Sequence, residues 1–248
     1  MERPADWESQ WRAEPLDLTA ATAEERTPRW RAQERLVDRL LGGFVGLRVV
    51  ELGAGRGLNG LLHARRGAHV TLVDDSPLAL AQAQELFRAS DAEFEPLQAD
   101  VFDLPTELFG GFDVSMSFGL CEHFLGERRR ASVAVHLDLV RDGGLVFLGV
   151  PNRFSPVYRL WMATLQRRGT WPLGTEEPFS PAELAALARA AGGRPLSPAF
   201  GSFLASAVNH GVNQVLFKLG QRGLPVPQVR TPGLDRFAYE LLLPVVKR

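Results

Sequence analysis

Three carboxylates in this chain each stand at or near the end of a short apolar run. Glu51 lies in the run VVEL, Asp74 ends the run AHVTLVD, and Asp100 follows a third run over residues 93–99. Such runs are typical of strands buried on both faces of a parallel sheet. Because the carboxyl ends of parallel strands meet at one edge of the sheet, we expect these acids to surround a single ligand site.

A glycine-rich turn follows the first run. Gly53, Ala54, Gly55 and Gly57 stand between the strand and a helix pattern that begins near Leu58. Backbone without Cβ atoms lets a ligand approach closely, and a helix N-terminus offers free N–H groups. The combination predicts a nucleotide site; the alternative is a turn that serves only the chain geometry.

The spacing around this turn separates two classes of nucleotide. The letters from Gly55 to Gly60 fit GxGxxG, the dinucleotide fingerprint, but the glycine nearest the strand is Gly53, which makes the turn GxGxG. Glu51, two residues earlier, would place a negative charge beside a pyrophosphate. A cationic ligand meets no such conflict, so the turn favours a positively charged nucleoside. An NAD-dependent oxidoreductase is the alternative enzyme class.

The composition indicates a globular protein and excludes some functions. Hydrophobic residues make up 45% of the 248 residues, charged residues 23%, and the net charge is −1, so no general field attracts nucleic acid. The single cysteine, Cys121, allows no intrachain disulfide and no cysteine-based zinc site, and no metal site is predicted. The start, MERPADWESQW, lacks the apolar segment of a secretory signal, so we expect a cytoplasmic protein.

Strand and helix patterns alternate five times after a first helix that Thr27-Pro28 begins and Gly42-Gly43 ends. Ser76-Pro77 begins another helix, strands are predicted over 112–118 and 145–150, and the helix 127–140 precedes the turn Asp142-Gly143-Gly144. This alternation predicts a parallel sheet with helices on both faces. We expect one domain, 1–248, in which 26–150 binds the cofactor and 1–25 and 151–248 form a substrate-side cap with the C-terminal strands.

The predicted cap contains two apolar helices, over residues 154–166 and 202–219. They could form a lid or contact a membrane surface, but ordinary core packing is favoured because apolar helices are commonest there. Ser180-Pro181 begins a further helix, and the last strand is predicted over 237–243, with Pro244 placing it at a sheet edge or ending it.

Near the start of the chain, Trp7 and Trp11 are spaced i, i+4. This spacing predicts one side of a short helix. Such a helix would pack on the body of the protein or cover a site.

Five pieces of the chain, in order, carry a family resemblance. They are VVELGAGRG, VTLVDDSPLAL, ADVFDLP, FDVSMSFGLCEHF and DGGLVFLGVPN. Over about residues 26–200 the chain resembles the class I S-adenosylmethionine-dependent methyltransferases. The resemblance implies an α/β, Rossmann-like fold with a seven-stranded, mostly parallel sheet, helices on both faces, a helical lid and an antiparallel last strand.

The resemblance also implies roles for residues at the strand ends. Glu51 would orient the ammonium of S-adenosylmethionine, through water, and Asp74 would accept hydrogen bonds from its ribose. Asp100 would accept from the adenine amino group while the Val101 N–H contacts a ring nitrogen. The residues predicted to bind the cofactor are Glu51, Gly53, Ala54, Gly55, Gly57, Asp74, Asp75, Ser76, Asp100, Val101, Ser117 and Gly119.

The segment after the fourth strand limits the acceptor and supplies a candidate base. SFGLCEHF lacks the Pro-Pro-aromatic signature of methyltransferases that modify nucleic-acid amino groups, so the chain resembles the branch acting on small molecules, quinones and lipids. Methyl transfer is an in-line displacement that depends on alignment. His123 is the candidate catalytic base, with a residue of the pocket wall as the alternative. Tyr158 and His210 are weaker candidates, and Cys121 is interpreted as a buried hydrophobe.

The predicted function is therefore transfer of a methyl group from S-adenosylmethionine to a small-molecule or lipid-like acceptor. The acceptor is not nucleic acid, and weak peripheral membrane contact is possible through the cap. Besides the NAD-dependent oxidoreductase, a non-catalytic module that binds the cofactor stays open as an alternative.

Overall fold

The computed structural model describes residues 6–13, 16, 17 and 19–248, and the structural statements below concern these residues. Within them, eight strands form one sheet. The strands are β1 Arg48–Leu52, β2 His69–Asp74, β3 Glu95–Gln98, β4 Phe112–Phe118, β5 Val140–Pro151, β6 Gly193–Pro195, β7 Ala199–Phe200 and β8 Glu240–Lys247. Their order is β3-β2-β1-β4-β5-β8-β6, and β7 also pairs with β8.

The first five strands are parallel and β8 runs antiparallel to β5. This order brings the ends of β1, β2, β3 and β4 to one edge of the sheet, beyond which ligands bind in folds of this kind. The predicted Rossmann-like, mostly parallel sheet is confirmed. The described sheet has one strand more than the predicted seven, because the two-residue β7 pairs with β8 beyond the end of β6.

Helices cover both faces of the sheet. They are α1 Trp7–Ala13, α2 Ala20–Glu24, α3 Pro28–Leu41, α4 Leu58–Ala64, α5 Pro77–Arg88, α6 Gly126–Leu139, α7 Pro156–Arg167, α8 Pro181–Ala190, α9 Phe203–Ala207 and α10 Asn213–Lys218. Helices α3, α4 and α5 share one apolar cluster with Val49, and α6 and α8 share the other with Val50. Neighbouring strand residues point to opposite faces, so strands buried on both sides are apolar throughout.

Three helices begin at the predicted caps. The Thr27 hydroxyl accepts the Trp30 N–H, the Ser76 hydroxyl accepts the Ala79 N–H, and Ser180 caps α8 in the same way. A proline stands at the start of each of these helices, where its missing N–H needs no partner. These local signals fixed the helix starts correctly.

The bounds of two strands, β5 and β8, differ from the prediction. Strand β5 begins at Val140, directly after α6, so the expected turn Asp142-Gly143-Gly144 lies within the strand, beside a register shift in β4. Strand β8 begins at Glu240, because residues 235–237 form a short 3-10 helix, and it continues to Lys247.

The interpretation of Pro244 as an edge or end signal is wrong. Pro244 lies inside β8, between β5 and the two short strands β6 and β7. The Pro244 C=O accepts the Leu196 N–H, and in an antiparallel strand the nitrogen of a residue faces the same neighbour as its C=O. The Pro244 nitrogen therefore faces the loop between β6 and β7, where the sheet is interrupted. The missing N–H of proline therefore costs no ladder hydrogen bond.

Gly57 offers a test of packing behind the glycine turn. Its φ is +66°, and an added Cβ would lie 2.3 Å from Leu72 Cδ1 in the core, whereas Gly42, with φ +81°, has open space. We expect Gly42→Ala to lower the free energy of unfolding by about 1–2 kcal/mol through backbone strain. Gly57→Ala should cost about 1–3 kcal/mol more through overpacking. Urea denaturation measures both, and equal losses would contradict the packing role.

Candidate functional site

A cavity of about 630 Å³ lies at the carboxyl ends of β1, β2, β3 and β4. This volume is within the range of small-molecule and cofactor sites. The predicted site residues that line it are Gly53, Ala54, Gly55, Asp74, Asp75, Asp100, Val101, Gly119 and His123. The predicted residues outside its lining are Glu51, Gly57, Ser76 and Ser117. The topology thus brings most of the predicted residues to one cavity.

The glycine turn presents bare backbone to this cavity. Gly53 and Gly55 have φ of +55° and +54°, a region that favours glycine. An added Cβ would lie 2.7 Å from Leu120 Cδ1 at Gly53, and 2.7 Å from the Trp11 ring at Gly55. The backbone conformation favours glycine at both places, the Trp11 ring also leaves little space for a side chain at Gly55, and α1 lies over the turn through Trp11.

Asp74 joins this turn to the end of β2. One carboxylate oxygen accepts the Gly55 N–H at 2.7 Å, and the other accepts the Ser76 N–H at 2.9 Å. Burial raises the pKa of Asp74, and the two N–H groups act in the opposite direction. Asp75, the next residue, is exposed at the cavity. Asp100 is also exposed there, and one of its oxygens accepts the Phe102 N–H.

Glu51 lies behind the glycine turn. Its carboxyl is buried and accepts the N–H of Gly60, in α4, at 2.7 Å. Burial raises the pKa of Glu51 to about 8. The Glu51 carboxyl does not line the cavity, so its predicted contact with a cofactor ammonium would be indirect. That contact stays a prediction.

The two predicted serines act within the protein in this structure. The Ser76 hydroxyl caps α5 and donates to the Glu8 carboxylate of α1 at 2.5 Å. The Ser117 hydroxyl is buried beside the Cys121 sulfur, 4.0 Å away. Burial raises the pKa of the Cys121 thiol to about 12, which agrees with its interpretation as a small buried hydrophobe.

His123 lies on a short 3-10 helix after β4, in the wall of the cavity. Its Nδ1 is 2.9 Å from the Thr175 carbonyl oxygen. Because a carbonyl only accepts, we assign the proton to Nδ1, which leaves the lone pair on Nε2. Burial lowers the pKa of His123, and backbone hydrogen bonds with Thr175, Gly119 and Leu173 act in the opposite direction, so the neutral form of the imidazole is favoured. The Trp7 ring contacts its edge at 5.0 Å between centroids.

Residues 175–177 hold this histidine in place. The Glu177 N–H donates to the Glu122 carbonyl, and Glu176 accepts a hydrogen bond from the Tyr158 hydroxyl. Burial raises the pKa of Glu176 to about 7 and also raises that of Glu122. Tyr158, a weaker catalytic candidate, is thus buried outside the cavity lining and supports the segment that contacts His123.

His210, the other weaker candidate, packs against the rings of Tyr158 and Tyr239 at 5.1 and 4.6 Å. It too lies outside the cavity lining. Its role in this structure is packing between the C-terminal helices and the sheet.

Several lining residues were not predicted. They are Ala99, Phe118, Leu120, Phe124, Arg128, Leu173 and Thr175. Leu120 and Phe124 belong to the piece GLCEHF and were within reach of the sequence argument. Leu173 and Thr175 come from a segment without secondary-structure periodicity, so no pattern pointed to them. Trp7 and Trp11 also line the cavity, as one of the two interpretations of their helix expected.

In the part of the chain that the structure describes, no group of three or more His, Cys, Asp or Glu side chains could hold a metal ion. Over the same residues, every helix is too short or too polar to cross a bilayer.

The buried Glu51 predicts a pH dependence of stability. A carboxyl whose pKa rises on folding, here from 4.5 to about 8, binds its proton more tightly in the native state. Its contribution to stability is therefore lost progressively between about pH 4.5 and 8. Glu51→Gln keeps an oxygen for the Gly60 N–H but does not titrate. We expect Glu51→Gln to gain stability relative to the wild type from pH 5 to pH 8.

Thermal denaturation at pH 5, 6.5 and 8 measures this difference. Glu85→Gln, on the exposed side of α5, is the matched control and should follow the wild type at each pH. Parallel curves for Glu51→Gln and the wild type would contradict the assignment of a protonated, buried Glu51.

Comparison with known proteins agrees with this geometry. Residues 49–144 match a family described as a methyltransferase domain. The chain is 32% identical over 165 residues to the ubiquinone biosynthesis O-methyltransferase of Bordetella avium, covering 64% of this chain and 67% of that protein. It is 31% identical over 158 residues to the enzyme of the same name from Pseudomonas aeruginosa, with 60% and 66% covered. The chain thus spans about two thirds of these relatives.

A solved structure shares the fold at lower sequence identity. The magnesium protoporphyrin IX methyltransferase of Synechocystis PCC 6803, with bound SAH, superimposes with a TM-score of 0.61 at 17% identity, over 89% of this chain and 84% of that one. The family match extends from β1 into β5, and the structural match shows that the fold is shared over most of the chain. Because the chain is 32% identical to the B. avium enzyme and covers 67% of it, the chain belongs to the class I S-adenosylmethionine-dependent methyltransferases.

Proposed function

We propose that this protein transfers a methyl group from S-adenosylmethionine to a small-molecule acceptor that is lipid-like. The observation that carries the proposal is the meeting of bare backbone, strand-end carboxylates and a neutral histidine at one cavity. The relatives from P. aeruginosa and B. avium are named O-methyltransferases, which favours an acceptor hydroxyl.

The residues of the cavity fit the parts of this cofactor. The backbone at Gly53 and Gly55, which lines the cavity without a Cβ atom, suits the amino-acid tail and the ribose. Asp74, with Asp75 beside it, suits the ribose hydroxyls. Asp100 and the Val101 N–H suit the adenine edge. In this assignment Glu51, Gly57, Ser76 and Ser117 support the cavity from behind.

The chain contributes alignment and a proton acceptor. Bound S-adenosylmethionine supplies a methyl group on a cationic sulfur. Holding the acceptor in line with it can lower the barrier by about 7–11 kcal/mol. His123 Nε2 takes the proton from the acceptor hydroxyl, while Nδ1 stays bonded to the Thr175 carbonyl. Trp7, Trp11 and Leu173 contribute apolar side chains to the wall of the cavity.

The cap supports the lipid-like character of the acceptor. Among the described residues, most of the exposed large apolar side chains lie between residues 154 and 234. We propose that this part makes weak peripheral contact with a membrane and that residues 26–150 bind the cofactor. We also propose a cytoplasmic location, because Cys121 is a free, buried thiol and proteins of oxidising compartments favour disulfides.

The role of Asp74 is tested by binding of S-adenosylhomocysteine. Loss of charged hydrogen bonds to a ribose costs about 1.5–3 kcal/mol, so Asp74→Ala should weaken binding about 10- to 100-fold in calorimetry. Ser180→Ala removes the cap of α8, which lies outside the lining of the cavity. It should lower the melting temperature and leave the affinity unchanged. Equal weakening by both variants would reduce Asp74 to a turn residue.

Transfer itself is tested with methyl-labelled S-adenosylmethionine and fractionated cell extract, followed by identification of the labelled product. With that acceptor, His123→Ala should slow turnover by about 10²–10⁴-fold and leave S-adenosylhomocysteine affinity unchanged. Normal turnover would make His123 a wall residue. Thermal stabilisation by NAD and not by S-adenosylhomocysteine would favour the oxidoreductase. Cofactor binding without any labelled product would favour a non-catalytic module.

A further inference from the structure

The last helical segment has an inverted distribution of polar and apolar side chains. A π-helical turn, Val208–Val212, joins α9 and α10. Ser206 and Asn213, on this segment, are 5% and 4% exposed, whereas Val215 and Leu219 are 57% and 68% exposed. A surface helix of a globular protein has the opposite arrangement, with its apolar stripe facing the core. Val212 is also exposed and, with Val215 and Leu219, lies on one face at i, i+3 and i+7.

A neighbouring loop extends this apolar surface. The Asn213 side chain holds Leu224 at both backbone groups, accepting its N–H at 2.6 Å and donating to its C=O at 3.0 Å. The Ser202 hydroxyl holds the Val229 carbonyl in a similar way. Because polar side chains attach the loop, its apolar side chains remain outside, and Leu224, Val226 and Val229 are exposed.

The same part of the chain is basic. Residues 154–175 and 197–234 contain no Asp or Glu, although the whole chain has 29 acidic residues against 28 Lys and Arg. The basic residues of the two segments are Arg159, Arg167, Arg168, Lys218, Arg222 and Arg230. Of these, Arg230 is paired with Asp235. We call the exposed side chains of residues 212–219 and 224–229, together with the exposed cations Lys218 and Arg222, the basic apolar face.

Core packing, the interpretation favoured by the sequence, does not account for this face, because its valines and leucines are in solvent. Exposed patches of this kind mark contacts with proteins or membranes. Cations beside inserted apolar side chains, with no acids between them, are the features that bind an anionic lipid surface.

We propose that the basic apolar face docks on a bilayer that contains anionic lipids. This inference rests on the proposed lipid-like acceptor, for which it names the route of delivery. The underside of the face leads toward the cavity: the Ser206 hydroxyl accepts the Tyr239 N–H, the Tyr239 ring contacts Tyr158 at 4.4 Å, and Tyr158 bonds Glu176, next to Thr175. In the docked protein, these contacts therefore connect the membrane-bound segment to the cavity wall at Thr175.

Vesicle binding tests the proposal without any transfer assay. The full chain is mixed with vesicles of phosphatidylcholine, alone or with phosphatidylglycerol, and the bound fraction is measured by flotation. We expect binding to the anionic vesicles that weakens with added salt, and little binding to the neutral ones. The double variant Val215→Asp, Leu219→Asp should bind at least about tenfold more weakly, since both side chains leave the bilayer.

Matched controls lie elsewhere on the surface. Val45→Asp changes an exposed valine, 86% exposed, and should bind as the wild type does. Lys218→Glu with Arg222→Glu should weaken binding to anionic vesicles, whereas Arg35→Glu with Arg39→Glu, exposed on α3, should have a much smaller effect. Melting temperatures establish that each variant is folded.

Three results would overturn the inference. The first is a wild type that binds neither kind of vesicle. The second is a double variant, Val215→Asp with Leu219→Asp, that binds the anionic vesicles as well as the wild type does. The third is a dimer in light scattering that Val215→Asp dissociates, because a second copy would then cover the face. Failure of methyl transfer with vesicle binding intact would count against the proposed function and not against docking.

Discussion

The Asp74 carboxylate is the contact on which the site depends. It accepts one N–H from the glycine turn after β1 and one from the start of the turn before α5. Parallel strands bring their ends together, but they do not fix the loops that follow them. A buried, charged acceptor with two backbone donors fixes both loops at once, and charged hydrogen bonds are stronger than neutral ones. The edge of the cavity therefore has a defined shape before any ligand binds.

A second clamp fixes the opposite wall. His123 donates to Thr175, Glu122 accepts from Glu177, and Tyr158 holds Glu176 between them. These bonds join the end of β4 to a segment more than fifty residues further along the chain. They set which imidazole nitrogen carries the proton, and hence which nitrogen can act on a substrate. The sheet thus supplies the cofactor side of the cavity, and the cap orients the candidate base.

Two parts of the molecule use apolar residues differently. The sheet and the helices α3–α6 and α8 bury theirs in two clusters, one on each face. Residues 202–229 bury serine and asparagine and leave valine, leucine and phenylalanine outside. The first pattern stabilises a fold in water, and the second costs free energy in water unless another apolar phase covers the surface. The proposed docking on lipid gives the exposed residues such a phase.

The sequence by itself determined the parts that depend on local interactions. Strand β4 has the predicted bounds, and Thr27, Ser76 and Ser180 cap the predicted helices, because a cap is satisfied within one turn of its own chain. Strand ends rich in acids and glycine also predicted the location of the cavity, since parallel topology brings such ends together. The contacts of the predicted residues with a cofactor stay predictions.

Only the tertiary structure decided what long-range packing controls. It buried Glu51 behind the turn, set Gly57 against Leu72, and placed Pro244 opposite an interrupted edge. It also brought Thr175 to His123 from a segment with no periodicity. A sequence pattern records which side chains avoid water, because hydrophobic burial is non-directional. It does not record which distant atom each one meets, and hydrogen bonds and close packing depend on that meeting.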